Sequence, residues 1–189
     1  MIVLRTFIES YIDLPDDDWK YISSFFKKRI IKKNELIISE GKICRHFHFL
    51  ETGLVRHFIL NDGNDTTTFF IPAPYCITSR LSFLNQSPTK ENIQAIEKSV
   101  VWEISWKQYN NLMKLNSWSA FTRKILNEVQ NITEERLFTN LTETAELRYQ
   151  KLLTQQPQLI NRIPLKHLAS YLGIASQSLS RIRKKYAKG

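Results

Sequence analysis

The chain has 189 residues, enough for one large domain or two modest ones, and 42% of them are hydrophobic, so a folded protein with a buried core is expected. This composition excludes disordered and collagen-like proteins, and no apolar run reaches the roughly 18 residues that a membrane-spanning helix needs. Its two cysteines, Cys44 and Cys76, lie outside any C-x-x-C spacing, so neither a disulfide framework nor a thiolate metal cluster is implied. No secretion signal is recognised at the start, and a reducing, cytoplasmic location is predicted.

The net charge of +9 is unevenly distributed. Residues 162–189 contain seven cationic side chains and no acidic one: Arg162, Lys166, Arg181, Arg183, Lys184, Lys185 and Lys188. This asymmetry indicates an anionic partner for the C-terminal part, with nucleic acid favoured over a membrane surface. A solvated basic tail is the alternative interpretation.

The first element with clear boundaries is a helix that starts near Pro15. Asp16–Asp18 occupy its predicted first turn, and Lys27–Arg29 its predicted end. Both placements suit the helix dipole, which favours acidic side chains at the N-terminus and basic ones at the C-terminus.

From Glu35 to about Ile104 the pattern changes to short runs rich in Ile, Phe, Val and Thr. Gly41, Gly53 and the sequence NDGN at 61–64 separate these runs, and an Asp-Gly pair between alternating segments is a strong hairpin signal. We therefore predict a compact antiparallel β-roll or sandwich of jelly-roll type, within an α+β chain.

Beyond Trp106 a helical period takes over, with helices predicted near 106–115, 118–139 and 143–155. The long middle helix carries an apolar stripe of Trp118, Ile125, Val129 and Ile132, which Phe121, Leu126 and Leu137 widen. Such a helix serves either as a dimer seam or as a packing element of its own domain, and the pattern alone does not separate the two.

The segment PLKHLASYLGIASQSLSRIRKKY at 164–186 has the spacing of a helix-turn-helix. Its apolar positions form two stripes joined through Gly173, which allows the left-handed conformation of a sharp turn, while the small Ala169 lets the helices cross closely. On the outward side of the second helix, polar side chains recur at intervals of three and four: Gln177, Ser180, Arg181 and Lys184. Arg and Gln are suited to guanine and adenine edges in the major groove.

At this point the sequence resembles the Crp/Fnr family of transcription regulators over nearly its whole length. QSLSR at 177–181 is similar to the Fnr-type recognition pattern E-x-x-S-R, with Gln177 in place of the acid. HFHFLETGLVR at 46–56 resembles the strand, glycine turn and strand of the family's β-roll, and SWKQYNNLM resembles the short helix after it. The resemblance implies a homodimeric, non-enzymatic DNA-binding regulator without a resident cofactor.

The resemblance also implies an organisation and partners. A cyclic-nucleotide-binding-type roll would span 1–115, a dimerisation helix 116–140 and a helix-turn-helix domain 141–189. The expected partners are double-stranded DNA and a second copy of the chain, with RNA polymerase as a further candidate. A small-molecule effector, if there is one, is not identified by the sequence.

Site residues follow by carry-over from the matching motif. The residues expected to read bases are Gln177, Ser180 and Arg181. Those expected to meet phosphates are Lys166, Ser176, Ser178, Arg183, Lys184 and Lys185, with Lys188 beside them. The residues expected in the dimer seam are Trp118, Ile125, Val129 and Ile132.

Two departures from the family pattern bear on the DNA-binding helix. Ala175 stands where a Ser or Thr N-cap is usual, which would cost the helix about 1 kcal/mol unless Ser176 caps it one residue later. The sequence ends at Gly189, so the β-hairpin wing that follows in the family is not expected, and affinity would depend more on the helix and the dimer.

The nucleotide-binding cassette of the family is not recognisable in YCITSRLSFLNQSPTKENIQA at 75–95. The Gly-Glu pair and the phosphate-binding arginine are missing, so cyclic AMP is not expected to bind. The polar residues left as a candidate effector pocket are Thr78, Ser79, Arg80, Thr89 and Lys90. Two distant cysteines also exclude the four-thiolate iron-sulfur cluster of Fnr.

Two rival interpretations belong to other classes. GKICRHFHFLETG loosely resembles a cupin metal motif through His46 and His48, but Glu51 comes too early and points to the opposite strand face. The only later candidate before His167 is His57 on the next strand, so a metal enzyme is disfavoured. The other rival is a roll that docks a protein partner, with a basic end that contacts nucleic acid nonspecifically.

Overall fold

The computed structural model describes residues 1–186. The helices in that range are α1 (Ile2–Glu9), α2 (Asp16–Ser23), α3 (Arg80–Asn85), α4 (Trp106–Leu112), α5 (Asn116–Thr142), α6 (Ala145–Gln155), α7 (Pro157–Arg162), α8 (Leu165–Leu172) and α9 (Ser176–Tyr186). The strands are β1 (Lys27–Ile31), β2 (Leu36–Ile38), β3 (His46–Thr52), β4 (Leu54–Asn61), β5 (Asn64–Pro72), β6 (Tyr75–Ile77), β7 (Asn92–Ala95) and β8 (Ser99–Ser105).

The eight strands form two four-stranded sheets, with strand orders β1-β8-β3-β6 and β2-β7-β4-β5. The strand pairs are antiparallel, and the sheets enclose a core that includes Phe49, Val55 and Ile93. The predicted antiparallel roll is confirmed. The sequence pattern missed β6, a three-residue strand that pairs with the middle of β3.

Helix α2 begins after Pro15 with three aspartates in its first turn, as predicted, but it ends at Ser23. The prediction that Lys27–Arg29 close this helix is wrong, because these residues start β1 and pair with β8. In the strand Arg29 lies 2.8 Å from Glu35 and 3.7 Å from Glu103. The long-range pairing outweighs the local helix-end signal.

Two tight turns require unusual backbone geometry. Gly53 joins β3 to β4 at φ 111°, and a Cβ atom there would lie 2.1 Å from the hydroxyl of Ser99. Asp62 and Gly63, at φ 50° and 79°, form the turn between β4 and β5. The hairpin predicted from NDGN is therefore confirmed, since positive φ at both central residues is typical of a two-residue hairpin turn.

The N-terminal half of α5 packs on the roll. Trp118, Phe121 and Ile125 are buried in the roll core of the same chain, with Trp118 fully buried. The assignment of Trp118 and Ile125 to a dimer seam is therefore corrected, because neither side chain is accessible to a second copy. The packing alternative describes this half of the helix.

A second core joins the C-terminal helices to the roll. Leu54 of β4 and Ile96 after β7 are buried together with Leu168 and Leu172 of α8 and Leu179 of α9. The contact is polar as well: the Ser170 hydroxyl donates to the Asp65 carbonyl at 2.7 Å and accepts from the Thr67 amide at 2.9 Å. Because β5 is an edge strand, this contact satisfies backbone groups that sheet pairing leaves free.

Candidate functional site

Helices α8 and α9 are joined by a tight turn at the place where the sequence predicts a helix-turn-helix. Gly173 adopts the left-handed conformation at φ 71°, and the amide of Ile174 donates to the carbonyl of Ala169 at 3.1 Å. Ala169 and Leu179 are buried between the helices. The Leu179 amide donates to the Ala175 carbonyl at 3.1 Å, which places Ala175 at the N-cap position of α9, where its side chain offers no cap.

The outer face of α9 presents the predicted base-reading residues to solvent. Gln177 and Arg181 are exposed, and Ser180 is half-buried. The predicted phosphate-binding residues surround them, with Ser178, Arg183 and Lys184 exposed, Ser176 half-buried, and Lys166 exposed on α8. Within residues 1–186 neither Arg181 nor Lys184 takes part in an ion pair.

Lys185 differs from the other predicted phosphate-binding residues. Its ammonium lies 2.7 Å from the Glu146 carboxylate on α6, and the Tyr186 hydroxyl approaches the same carboxylate at 3.4 Å. The pair raises the pKa of Lys185 and lowers the pKa of Glu146. Lys185 would have to leave this partner to meet a phosphate, and Lys188 lies outside the described residues.

The inner face of α8 lies next to an ion pair of the roll whose arginine is buried. The Arg56 guanidinium, 2% exposed, binds both carboxylate oxygens of Asp65 at 2.5 and 2.6 Å and also donates to Gln94 and Thr67. Burial opposes ionisation of Asp65, but the Arg56 guanidinium lowers its pKa overall. Ser170 holds the carbonyl of this same Asp65, so α8 attaches to the strand that carries the ion pair.

His167 lies on the same buried face of α8. Burial lowers the pKa of His167 to about 4, and the positive charges of Arg56 and Lys166 act in the same direction, while Asp65 opposes them. The imidazole is therefore neutral at physiological pH, and α8 brings no cation to the roll here.

A cavity of about 1260 Å³ lies between the roll, the C-terminal half of α5 and helices α6 to α8. Of the predicted effector-pocket residues, Thr78 and Arg80 line it. Ser79 and Thr89 are instead buried and hydrogen-bonded to each other at 2.8 Å, and Lys90 is exposed away from the cavity wall. Only part of the predicted set is thus brought together.

Sequence reasoning missed a buried pair in this cavity. His57 Nδ1 lies 3.2 Å from a carboxylate oxygen of Glu91, and both residues line the cavity. The sequence pattern points to His57 only as a metal ligand, and Glu91, 34 positions along the chain, offers no local signal. Strand pairing between β4 and β7 creates the pair, because Ile93 lies opposite His57 and Glu91 precedes that strand.

The cupin-like histidines lie together, but the acidic residue of the motif does not join them. His46 and His48 share a strand face, as alternation predicts, but Glu51 turns away and accepts from the N-terminal ammonium at 3.1 Å. Burial lowers the pKa of His48, although Glu103 at 3.6 Å opposes the shift. Across residues 1–186 there is no group of three His, Cys, Asp or Glu side chains that would hold a metal ion.

The family model described as "Cyclic nucleotide-binding domain" matches residues 28–116. A protein from Eubacterium rectale assigned to the crp/fnr family of transcriptional regulators is 17% identical, with a TM-score of 0.75 over 94% of this chain and 88% of that one. FixK2 from Bradyrhizobium japonicum is 16% identical, with a TM-score of 0.70 over 86% and 85% of the two chains. This chain has the Crp/Fnr fold.

The c-di-GMP responsive global regulator CLP from Xanthomonas campestris has the same Crp/Fnr fold, at 14% identity and a TM-score of 0.70 over 92% of both chains. At these identities the structural similarity establishes the fold, which is the one that the sequence resemblance implied. No curated protein matches the sequence. Among the described helices, none combines the length and the apolar character needed to cross a membrane.

Proposed function

We propose that this protein is a sequence-specific, homodimeric DNA-binding transcription regulator. The observation that carries the proposal is the outer face of α9, where Gln177, Arg181 and Lys184 are exposed on the second helix of a helix-turn-helix. An exposed basic helix with an amide and a guanidinium at this spacing suits major-groove readout. Phosphates would be met by the surrounding serines and cations.

The dimer seam is proposed on the outer stripe of α5. Leu126, Leu137 and Leu141 are 38%, 62% and 78% exposed. Leu126 lies about three turns before Leu137, and Leu141 lies about one turn after it, so the three side chains share one side of the helix. Val129 and Ile132, from the seam predicted by sequence, line the cavity and are also 37% and 42% exposed, so they stay candidates for the edge of this seam. A second copy that packs its own α5 against this leucine stripe would bury three large apolar side chains in each protomer.

Selection of bound sequences from a random DNA pool tests the proposed DNA recognition. A two-fold-symmetric site is expected, with half-sites about 34 Å apart, because two recognition helices related by a two-fold axis enter successive major grooves on one side of the duplex. Affinity should also fall steeply with rising salt, since phosphate-bound cations release counterions.

The alternative function, a roll that docks a protein and contacts nucleic acid nonspecifically, predicts no preferred sequence. Enrichment of no motif, together with equal affinity for all duplexes, would favour that alternative. Tight binding that does not depend on salt would count against both.

Leu137→Asp tests the seam. A buried charge at a two-fold contact is strongly unfavourable, so the variant should be monomeric by sedimentation and should lose binding to the symmetric site. Leu81→Asp is the matched control, because Leu81 is 68% exposed on α3, outside the leucine stripe of α5. A Leu137→Asp protein that stays dimeric would remove the leucine stripe from the interface.

A further inference from the structure

The roll end of the cavity carries a buried polar atom without a partner. His57 is 8% exposed, and its Nε2 atom has no hydrogen-bond partner among the described residues. The ring is held on its other side by Glu91 and contacts the edge of Phe69, with ring centroids 6.5 Å apart. An unsatisfied polar atom in a protein interior calls for an explanation, because desolvation without a hydrogen bond is unfavourable.

The contact with Glu91 sets which ring nitrogen carries the proton. A carboxylate only accepts hydrogen bonds, so His57 Nδ1 must be the protonated nitrogen that donates to it. In the neutral imidazole Nε2 is then a hydrogen-bond acceptor. The side of the ring without a protein partner therefore requires a hydrogen-bond donor.

Apolar side chains form part of the cavity wall. Phe69 and Ile71 of β5 and Val129 and Ile132 of α5 all line the cavity. Tyr75 also lines it, but its hydroxyl is already bound to Glu128 at 3.0 Å. A ligand at this end would bury an apolar body between β5 and α5 and direct one polar group at His57.

Charge argues against an anionic ligand at His57. The Glu91 carboxylate is next to the ring, and the Nε2 lone pair would repel a second negative group. The cations that line the cavity are already engaged: Arg162 is paired with Glu97 at 2.6 Å and Lys151 with Glu143. Arg136 lies over the rings of Phe69 and Tyr171 and donates to the Tyr171 carbonyl at 3.2 Å. Arg148 donates to the Asn140 side chain and to the Leu172 carbonyl. Arg80 lines the cavity but is exposed on α3.

We propose that this end of the cavity binds a neutral, lipophilic small molecule whose hydroxyl group, a phenol or an alcohol, donates a hydrogen bond to His57 Nε2. The cavity volume of about 1260 Å³ exceeds that of most small-molecule sites, so the ligand fills the part between β5 and α5. Binding is independent of DNA, and the inference rests on the proposed function only for the regulatory role of the ligand.

Calorimetry with a matched pair of probes tests the hydrogen bond. 4-Nonylphenol has the donor, and 4-nonylanisole has the same apolar body with the hydroxyl proton replaced by methyl. The phenol should bind the full chain about three- to tenfold more tightly, the range expected for one hydrogen bond. 4-Nonylbenzoate, the anionic counterpart, should bind more weakly than either.

Variants assign the preference to the cavity. His57→Phe keeps a ring but removes the acceptor, so it should bind phenol and anisole equally, and Glu91→Gln should reduce the preference because the tautomer is no longer imposed. Val129→Trp should weaken the binding of both probes, because the larger side chain occupies part of the cavity. His46→Phe, on β3, is the matched control and should keep the wild-type preference. Thermal melts establish whether each variant is folded. If His57→Phe does not fold, the loss of phenol preference in Glu91→Gln tests the hydrogen bond instead.

Three results would overturn the proposal: equal binding of phenol and anisole by the wild type, a phenol preference that survives in His57→Phe, or displacement of 4-nonylphenol by cyclic AMP. DNA selection without a probe reports on the proposed function separately. A chain that discriminates the probes but binds no DNA would retain the ligand site and refute the regulator. The opposite result would retain the regulator and refute the site.

Discussion

The two helices of the helix-turn-helix face opposite environments. In α8 the residues His167, Leu168, Ala169 and Leu172 are buried, whereas in α9 only Leu179 is. The charged groups near the two helices also differ. The roll next to α8 holds a buried arginine that is paired with a carboxylate, whereas the cations on the outer face of α9 are exposed to water. One helix thus anchors the pair to the roll, and the other presents its side chains to solvent.

The difference teaches that burial rather than residue type separates a structural role from the proposed binding role in this protein. Arg56 and Arg181 carry the same guanidinium group. Arg56 satisfies its donors within the roll, and its loss would leave neighbouring groups unpaired. Arg181 keeps its donors available, so its loss should affect binding and leave the fold intact.

The largest expected effect is on the anchoring side. Asp65→Ala removes the partner of the buried Arg56 and should lower the free energy of unfolding by about 3 to 5 kcal/mol, because an uncompensated charge remains buried. Urea denaturation measures the change. Asp17→Ala is the matched control: Asp17 pairs with Lys20 at the surface, 93% exposed, and an exposed pair contributes about 0 to 1 kcal/mol. Equal losses in the two variants would contradict the comparison.

The next effect concerns acid sensitivity through His167. Its pKa is about 4 in the folded protein against an ordinary 6.5, so between these values the unfolded chain binds a proton that the folded chain does not. Stability should therefore fall as the pH decreases from 6.5 towards 4, by about 1 to 3 kcal/mol for this residue.

His167→Gln should flatten the stability profile in that pH window, as measured by urea denaturation at a series of pH values. Buried His48, whose pKa is also lowered, keeps part of the acid sensitivity. His46→Gln is the control on a half-exposed strand position. A His167→Gln profile that superimposes on the wild type would show that α8 carries no acid-sensitive group.

On the presenting side, Arg181→Ala should cost about 1 to 3 kcal/mol of binding to the preferred DNA site and much less on random DNA. Lys184→Ala should weaken binding to all DNA sequences alike and should reduce the slope of log affinity against log salt by about 1. Fluorescence anisotropy on both duplexes measures this, and unfolding free energies should stay within about 0.5 kcal/mol of the wild type. An equal loss on both duplexes for Arg181→Ala would remove Arg181 from base reading.

The smallest expected effect is a change in which base pair is preferred at one position of the half-site. Gln177 both donates and accepts and so matches the adenine edge, whereas glutamate only accepts and favours the cytosine amino group. The wild-type half-site should carry an A·T pair where Fnr-type regulators favour G·C, and Gln177→Glu should restore G·C, with a discrimination of about 1 kcal/mol or more. Ser178→Ala is the control and should leave the preference unchanged. Identical preferences in all three proteins, after selection from a random pool, would end the idea.

Local chemistry made much of the fold predictable. The NDGN hairpin, the glycine at the turn of the helix-turn-helix and the start of α2 all depend on a few neighbouring residues whose backbone preferences are strong. The same locality led to the wrong end of α2, because Lys27–Arg29 suit a helix C-terminus equally well until β8 is available to pair with them. The three-residue β6 is too short to produce a pattern of its own.

The faces of α5 show where sequence reasoning ends. A helical period reveals that apolar residues recur, but it does not say which stripe meets the protein's own core. The structure buries Trp118 and Ile125 against the roll, whereas Val129, Ile132 and Leu137 are exposed. The first two residues of the predicted seam therefore belong to the protein's own core, and Val129 and Ile132 remain candidates beside the exposed leucines.

The sequence by itself determined most of the elements, the order of roll, long helix and two C-terminal helices, and the polar face of α9, because each depends on residue spacing within one segment. Only the tertiary structure decided the contacts between distant segments: Glu91 against His57, Asp65 against Arg56, and Ser170 on the edge of β5. The physical reason is that these hydrogen bonds join residues 9 to 105 positions apart, and their partners meet only after strand pairing and docking have placed them.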